Sequence, residues 1–514
     1  MNGKRMRKPL ILVLALTMLV SMSLCGAASA TTADKMFNVA LTAPFTGFDP
    51  LRTNDSASTY VNAQIYETLY RIASDGSYIC LLAESLPEFA EDGLSATIKL
   101  RQGIKFHDGT PFNAEAVKYT FELIKNPDFG SARASIMASV SSIEVIDEYT
   151  LKLNLSYEDG VLLAKLAHTN SAIVSPTAQA KQDLMIAPVG TGPYVFVSSV
   201  SGSDVVLKAN EEYWGGAPAI KNVTMTIIAE ESTAVARLET GEADFMPNVS
   251  VSNIPRVQSI PNVTFETSPA AQINYVMLRP NSYVNPLMGN KDFRIAIAKA
   301  LDTQGYTEFV MEGYASHSAS VIGPNVFGYT EAAETFGYPY DPEGAKDIIQ
   351  KNGWANEPIK LLVPSTPVYT PMGEYFQSNL QAVGLTNVQI EAIDWSAWLT
   401  ESKADNRFDI SLAAWSNVTR DGTELMEPNW DSKASAQRAR IDNADFDQLV
   451  KEGKTTSDTT VRIAKLEAAN KLLLDEAYVV PVYNAMNLYA FNSAYAGVTR
   501  DVGGTFYLYD ITIK

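Results

Sequence analysis

The chain has 514 residues, of which 46% are hydrophobic and 19% charged. That is the composition of a folded globular protein, and it excludes extensive disorder. The length exceeds what one core organises, so two or three lobes are expected. A net charge of −18 argues against nucleic acid or an anionic membrane surface as the partner.

In chain order, the first thirty residues read as an export signal. Lys4, Arg5, Arg7 and Lys8 form a basic start, Leu10 to Val20 an apolar stretch, and Ala28-Ser29-Ala30 a small-residue cleavage site. The apolar stretch is too short to span a bilayer. Removing the segment takes away positive charge and no acid, so the mature chain is more acidic still. Met22-Ser23-Leu24-Cys25 offers an alternative, a lipid anchor at Cys25, although Leu24 is larger than such boxes want. With cleavage after Ala30, Cys80 is the one remaining cysteine, and a chain of this size can rely on its core instead of disulfides.

Ala96 to Leu100 and Tyr149 to Leu155 alternate apolar and polar residues, the pattern of half-buried strands. Val223 to Ala229 and Val388 to Ile393 read as further strands. Thr233 to Thr240 is helical and stops at Gly241. Phe293, Ile297, Ala300 and Leu301 share one helical face. Asp341-Pro342 opens a helix that ends at Gly353, and Ile463, Leu466, Ala469 and Leu473 stripe a long helix near the C-terminus. Strands and helices intermixed throughout predict α/β lobes.

The stretch GIKFHDGTPFNAEAV, residues 103–117, places His107 beside Asp108 in a chain with three histidines. Adjacent strand residues point to opposite faces, which makes a poor catalytic pair. Asp108-Gly109 is a turn signal, Pro111 fixes φ, and Asn113 suits a helix N-cap. The stretch therefore reads as strand, tight turn and capped helix. His168 and His317 are isolated in sequence, so no metal set is expected. G-x-S-x-G, H-E-x-x-H and P-loop motifs are absent, and a secreted hydrolase is the disfavoured reading.

The segment LAESLPEFAEDGLSATIKLRQGIKFHDGTPFNAEAVKYTFELI resembles the signature region of the peptide/nickel family of bacterial solute-binding proteins. Leu82-Ala83-Glu84-Ser85, Leu100-Arg101, Gly103, Lys105 to Gly109, Pro111, Ala114 and Val117 carry the match. Asn113 stands where the family has a threonine cap, and Ala116 where it has an acid, so the cap survives without its reciprocal capping-box partner. GTGPYVF, NEEYWGGAPAIKNVTM, RLETGEADF, KDFRIAIAKALD, YDPEGAKDIIQKNGW, QSNLQAVGLTNVQIEAIDW and FDISLAAWS follow in the family's order.

The resemblance implies a two-lobe periplasmic binding protein fold (type II, cluster C) with an extra N-terminal subdomain and a two-segment hinge. By position, residues 31–49, 188–273 and 484–514 form the sheet domain of lobe 1, residues 50–187 its extra subdomain, and residues 274–483 lobe 2. Residues 273–281 and 479–487 are the expected crossings. It implies a monomeric extracytoplasmic receptor, in the periplasm or cell envelope, that captures short peptides and hands them to the permease subunits of an ABC importer. Glutathione, haem, a nickel chelate or an oligosaccharide are the alternatives within the family. No cofactor and no catalytic residue are implied, and scattered histidines argue against direct nickel ligation.

In peptide-binding relatives the ligand amine meets an aspartate of the second lobe, beyond a strand-end tryptophan. Here Trp415 matches the tryptophan and Asp421 is the expected ammonium contact, with Glu424 as the substitute. A carboxylate facing an ammonium in a dry cleft makes a strong charge-assisted bond. Thr419 and Arg420 belong to the same loop, Arg420 facing a ligand carboxylate or pairing with Asp421. Asn274 and Tyr275, at a crossing, and Thr46 and Phe48, near the cleft in relatives, complete the candidate set.

Overall fold

The computed structural model describes residues 35–73, 76–434 and 437–514. The export signal and Cys25 lie outside the described residues. The secondary structure is mixed α/β, organised on one large sheet of eleven strands among the described residues.

The sheet runs in the order Val388–Ile393, Ile359–Pro364, Ile410–Ser416, Val263–Leu278, Val479–Asn492, Phe245–Met246, Met36–Leu41, Asn222–Ile227, Asp204–Ala209 and Tyr194–Val200. Ala315–His317 pairs with Val479–Asn492 off this path. The two long strands, Val263–Leu278 and Val479–Asn492, pair antiparallel and run from one half of the sheet into the other. Their register breaks between Pro269 and Ile273, opposite Met486 and Asn484, and again at Asn274/Tyr275. At the break the Ala271 N–H donates to the Val502 carbonyl and the Ala271 carbonyl accepts from Asn417, both at 2.7 Å. A bulge here frees backbone groups to bind outside the ladder, and it bends the sheet.

A separate four-stranded sheet, Glu88–Phe89, Ser95–Lys99, Thr150–Leu155 and Val140–Asp147, packs with the helix Ala114–Lys125. Its buried residues Ile98, Val117, Phe121 and Leu151 share one core with Phe37, Val223 and Phe245 of the large sheet. Residues 271–482 build two other cores on opposite faces of the other half-sheet, one around Phe293, Leu361 and Phe376, one around Tyr275, Trp398 and Trp430. Alternation explains the division: Val276 enters the first core, Tyr275 and Met277 the second.

The 103–117 stretch is a structural joint. Gly109 has φ 80°, Asp108 accepts from the Thr110 N–H at 3.0 Å and from the Ser175 hydroxyl at 2.7 Å, and Asn113 caps the helix through the Ala116 N–H at 3.1 Å. His107 lies 2.9 Å through Nε2 from the Gly192 carbonyl, and its N–H donates to Gly190 at 2.8 Å. Burial lowers its pKa, so the neutral ring donates that bond. The helices Glu231–Thr240 and Pro342–Asn352 end at Gly241 and Gly353, with φ 74° and 72°, where left-handed backbone favours glycine.

Candidate ligand-binding cleft

The strand Ile410–Ser416 delivers a tight loop, 417–421, to the junction of the two half-sheets. Asn417 Nδ2 donates to the Asp421 carbonyl at 2.7 Å, and the Thr419 hydroxyl donates to Asn417 Oδ1 at 2.9 Å. Arg420 takes φ 55°. The chain then enters the helix Gly422–Trp430, with Asp421 as its N-cap.

Asp421 is thereby committed to the fold. Its Oδ1 accepts from the Thr423 N–H at 2.9 Å, its Oδ2 from Arg462 Nη2 at 2.6 Å, and the residue is 5% exposed. Each oxygen already holds one strong donor, so an incoming ammonium would share this carboxylate with Thr423 and Arg462. Asp421 and Glu424 have the spacing of a capping box ahead of Leu425 and Met426, and that is the local signal for a helix start. Arg462 comes from the buried face of the distant helix Thr459–Asp475.

The other candidates divide. Arg420 donates through Nε to the Asn325 carbonyl at 3.0 Å and through Nη1 to the Ala73 carbonyl at 3.1 Å, so it ties the loop to the hairpin of Tyr70–Ile72 and Tyr78–Cys80. Asp421 pairs with Arg462, not with its neighbour. Gly76, at φ 89°, lies under the Arg420 guanidinium. Thr419 is buried within its own loop. Tyr275 does not face the cleft: it meets Trp430 edge-on at 5.4 Å in a core, and its hydroxyl donates to Asn429. Asn274 is buried in the strand, opposite Ala414 and Tyr483. Thr46 caps locally on Asp55 and Ser58, and Phe48 packs between Phe45 and Phe196. Phe48 belongs to the N-terminal core, and Thr46 is exposed at its edge.

Trp415 is half-buried, with the Arg133 guanidinium 5.8 Å from its ring centre. Around this pair the structure gathers charges that are remote in sequence. Glu424, in the first turn of its helix, lies 3.8 Å from Lys165 Nζ and 3.9 Å from Arg133 Nη2. These are ion pairs beyond hydrogen-bond length. Lys165 is buried and donates to Asp159 at 2.9 Å. Burial raises the Glu424 pKa against the pull of Lys165 and Arg133. Burial works against the Lys165 ammonium, but Glu424 and Asp159 hold its pKa above the ordinary lysine value.

His168 completes the group. Its Nδ1 faces the Asn170 N–H at 3.0 Å and its Nε2 faces Arg133 Nη1 at 2.9 Å. Burial, and then the Arg133 charge, push its pKa well below the usual value, so the ring is neutral. A neutral imidazole has one N–H and one lone pair. Whichever nitrogen carries the proton, one N–H points at another. Sequence reading left out Arg133, Lys165 and His168. The lysine inside the apolar run Leu162–Ala167 is the one local sign of a buried charge.

The sides meet elsewhere along the cleft. Arg462 Nη1 donates to the Gly160 carbonyl at 3.1 Å, Gly160 N–H to the Lys454 carbonyl at 3.3 Å, and Ser457 N–H to Glu158 at 2.9 Å. Two small voids lie along it. One, of about 10 Å³, sits at the strand bulge between Gln272, Gly323, Asn417 and Asn484. The other, of about 20 Å³, lies between Arg71, Thr169, Arg420 and Tyr507, and each has room for about one water. Among the described residues no cluster of three His, Cys, Asp or Glu is placed to hold a metal, and no helix is long and apolar enough to cross a membrane.

Known proteins share this architecture. The family described as bacterial extracellular solute-binding proteins, family 5, middle region, matches residues 77–437. The glutathione-binding protein GsiB of Escherichia coli is 28% identical over 469 residues, covering 88% of this chain and 90% of that one. A dipeptide-binding protein from a Pseudoalteromonas species, solved with Met-Leu, superposes with a TM-score of 0.85 at 22% identity, over 93% of this chain and 100% of that one. NikZ of Campylobacter jejuni, solved with Ni(L-His), gives 0.83 at 20% identity, over 93% and 99%. The chain belongs to the family 5 extracellular solute-binding proteins, non-enzymatic receptors of ABC transporters.

Proposed function

We propose that the protein captures short peptide-like zwitterions between two closing lobes, for delivery to an ABC importer, and that Arg133 with His168 receives a ligand carboxylate. The lobes are 274–483 on one side and 31–49, 188–273 and 484–514, with the extra subdomain 50–187, on the other. The hinge is the pair of long strands at their bulge. Ligand bound to both sides stabilises the closed form by its differential affinity.

The Arg133–His168 contact carries this reading. The Asn170 N–H donates to Nδ1, which puts the proton of the neutral ring on Nε2 and leaves two N–H donors facing each other at 2.9 Å; that is a standing electrostatic cost, and one carboxylate laid across both accepts from both. Glu424 then acts as the counter-charge that keeps Arg133 and Lys165 oriented, and Trp415 supplies the wall beneath the guanidinium. The relatives named for glutathione binding favour a solute of about tripeptide size.

Mature protein, unfolded and refolded to strip bound solute, is titrated calorimetrically with tripeptides and with their C-terminal amides. Amidation is expected to weaken binding by about thirtyfold, the loss of one charge-assisted bond of roughly 2 kcal/mol. In Arg133→Gln acid and amide bind alike. Amides that bind the wild type as well as free acids overturn the assignment. If no peptide binds but haem, a nickel chelate or a sugar does, the peptide class itself falls.

A further inference from the structure

The boundary between residues 50–187 and residues 274–483 is polar. Among the described residues no hydrophobic core draws on both segments, so nothing apolar commits them to one arrangement. They meet instead through hydrogen bonds at the loop 158–160. The Gly160 N–H donates to the Lys454 carbonyl at 3.3 Å, and the Gly160 carbonyl accepts from Arg462 Nη1 at 3.1 Å. Glu158 accepts from the Ser457 N–H at 2.9 Å and from the Ser457 hydroxyl.

Both halves of this clasp are built in advance. On one side Asp159 accepts from the Val161 N–H at 3.0 Å and from Lys165 Nζ at 2.9 Å, which fixes the loop. On the other, Arg462 donates to the Gly453 carbonyl at 2.9 Å and to Asp421 at 2.6 Å, and Lys454 Nζ donates to Glu427 at 2.7 Å. Preformed partners lose little conformational freedom when they meet. Gly160 takes no left-handed φ, so its own backbone would accept alanine. Closeness is what calls for glycine: a Cβ would lie 2.2 Å from the Thr456 carbonyl oxygen and 2.9 Å from Arg462 Cδ, atoms of the opposite side. Where the two sides face each other there is little space. The void walled by Arg71 and Thr169 on one side and by Val418 and Arg420 on the other has room for about one water. Glu424, from the second side, stands 3.9 Å from Arg133 and 3.8 Å from Lys165 of the first.

We propose that the Gly160 clasp is autoinhibitory: it holds the two lobes shut on each other, and a ligand enters only after it opens. A solute that lays its carboxylate on Arg133 first has to part Gly160 from Arg462 and Lys454. This rests on the two-lobe reading above and adds an internal competitor to it. The apparent affinity is then the intrinsic one reduced by the open fraction.

Gly160→Ala tests it, because the added methyl wedges the lobes apart. Mature wild type and variant, refolded to strip bound solute, are compared by small-angle X-ray scattering in buffer and by calorimetry with trialanine, with thermal melts reporting that each is folded. The variant is expected to show a larger radius of gyration than wild type. It should also bind trialanine about threefold to tenfold tighter, the gain for a wild-type open fraction between about a third and a tenth. Glu158→Ala removes an acceptor from the same clasp without a wedge. It should tighten binding by about twofold, and it carries the test if Gly160→Ala does not fold. Equal radii in buffer overturn the clasp. Unchanged or weaker binding overturns it equally, since the contact would then belong to the liganded form. If trialanine binds neither protein, the peptide reading falls and the radii alone decide the clasp.

Discussion

Two buried glutamates show how this molecule separates holding together from taking hold. Glu67 accepts from the Thr191 hydroxyl at 2.8 Å, the Tyr213 hydroxyl at 2.7 Å and Trp214 Nε1 at 3.1 Å. Three donors from two later segments converge on one carboxylate, all at hydrogen-bond length. Glu424 is almost as buried, yet its nearest cations stand 3.8 and 3.9 Å away. The first acid is saturated and its neighbours are fixed. The second is balanced by charge alone, and its surroundings can exchange one partner for another. Glu67 shows a fold-holding role by short bonds, and the long contacts of Glu424 are what the proposed binding role calls for.

The sharpest way to break that contrast is to remove the saturated acid. Glu67→Ala orphans two hydroxyls and an indole N–H. At 1–3 kcal/mol each for buried polar groups, a loss of about 3–5 kcal/mol is expected in urea unfolding. Ligand affinity of the folded fraction should be unchanged. A loss below about 1 kcal/mol would show that water replaces the carboxylate, and that the knot is not structural.

Charge state gives the same contrast a pH axis. Burial, offset by its hydrogen bonds, raises the Glu67 pKa to about 7. The folded state therefore holds a proton that the unfolded chain sheds near its ordinary carboxylate pKa. Stability is lost as pH rises from about 4.5 to 7, by up to about 3 kcal/mol for a shift of this order. His168 acts in the opposite sense, since its folded pKa is depressed and protonating it below about 6.5 favours unfolding. Glu67→Gln isolates the first slope. Melting temperatures of wild type minus variant should fall from pH 5 to pH 8, and a flat difference would contradict a raised pKa.

Glu424→Gln probes the unsaturated partner. As counter-charge to Arg133, it should oppose a ligand carboxylate, so its neutralisation tightens binding of free-acid peptides by about threefold to fivefold at low salt. A tenfold weakening instead would place Glu424 on a ligand ammonium, the role the loop sequence offered it. Calorimetry with a tripeptide reads either sign.

That ambiguity reflects what sequence can and cannot hold. The helix stops at Gly241 and Gly353, the cap at Asn113 and the alternation of Thr150–Leu155 are all local, so they were legible. The resemblance pointed to parts of the two long strands as crossings, and nothing local pointed to their bulge, which depends on Val502 and Asn417 bonding to Ala271. The cleft was least legible. Its charged and polar side chains come from positions 133, 165, 168, 424 and 462, and no spacing rule joins them. Family likeness pointed to this loop and to Asp421, whose sequence says helix cap, while only the fold brings Arg462 to it.

An effect of similar size, on stability alone, is expected at the joint where His107 and Asp108 lie. Asn113 Oδ1 accepts from the Ala116 N–H at 3.1 Å, and the reciprocal partner of a full capping box is missing because Ala116 occupies that position. Asn113→Ala removes the one side-chain bond that starts the helix Ala114–Lys125 and should cost about 1 kcal/mol in chemical denaturation. Water can reach the freed N–H only poorly, since Ala114 and Ala116 are both buried. That keeps the cost at the middle of the capping range rather than at its lower end. Because the joint makes no hydrogen bond to the Arg133–Glu424 cluster among the described residues, peptide affinity should stay within twofold, about 0.4 kcal/mol. A larger change in affinity than in stability would mean that this turn transmits to the cleft through Gly190 and Gly192. The division between structural joint and exchangeable site would then be too strict.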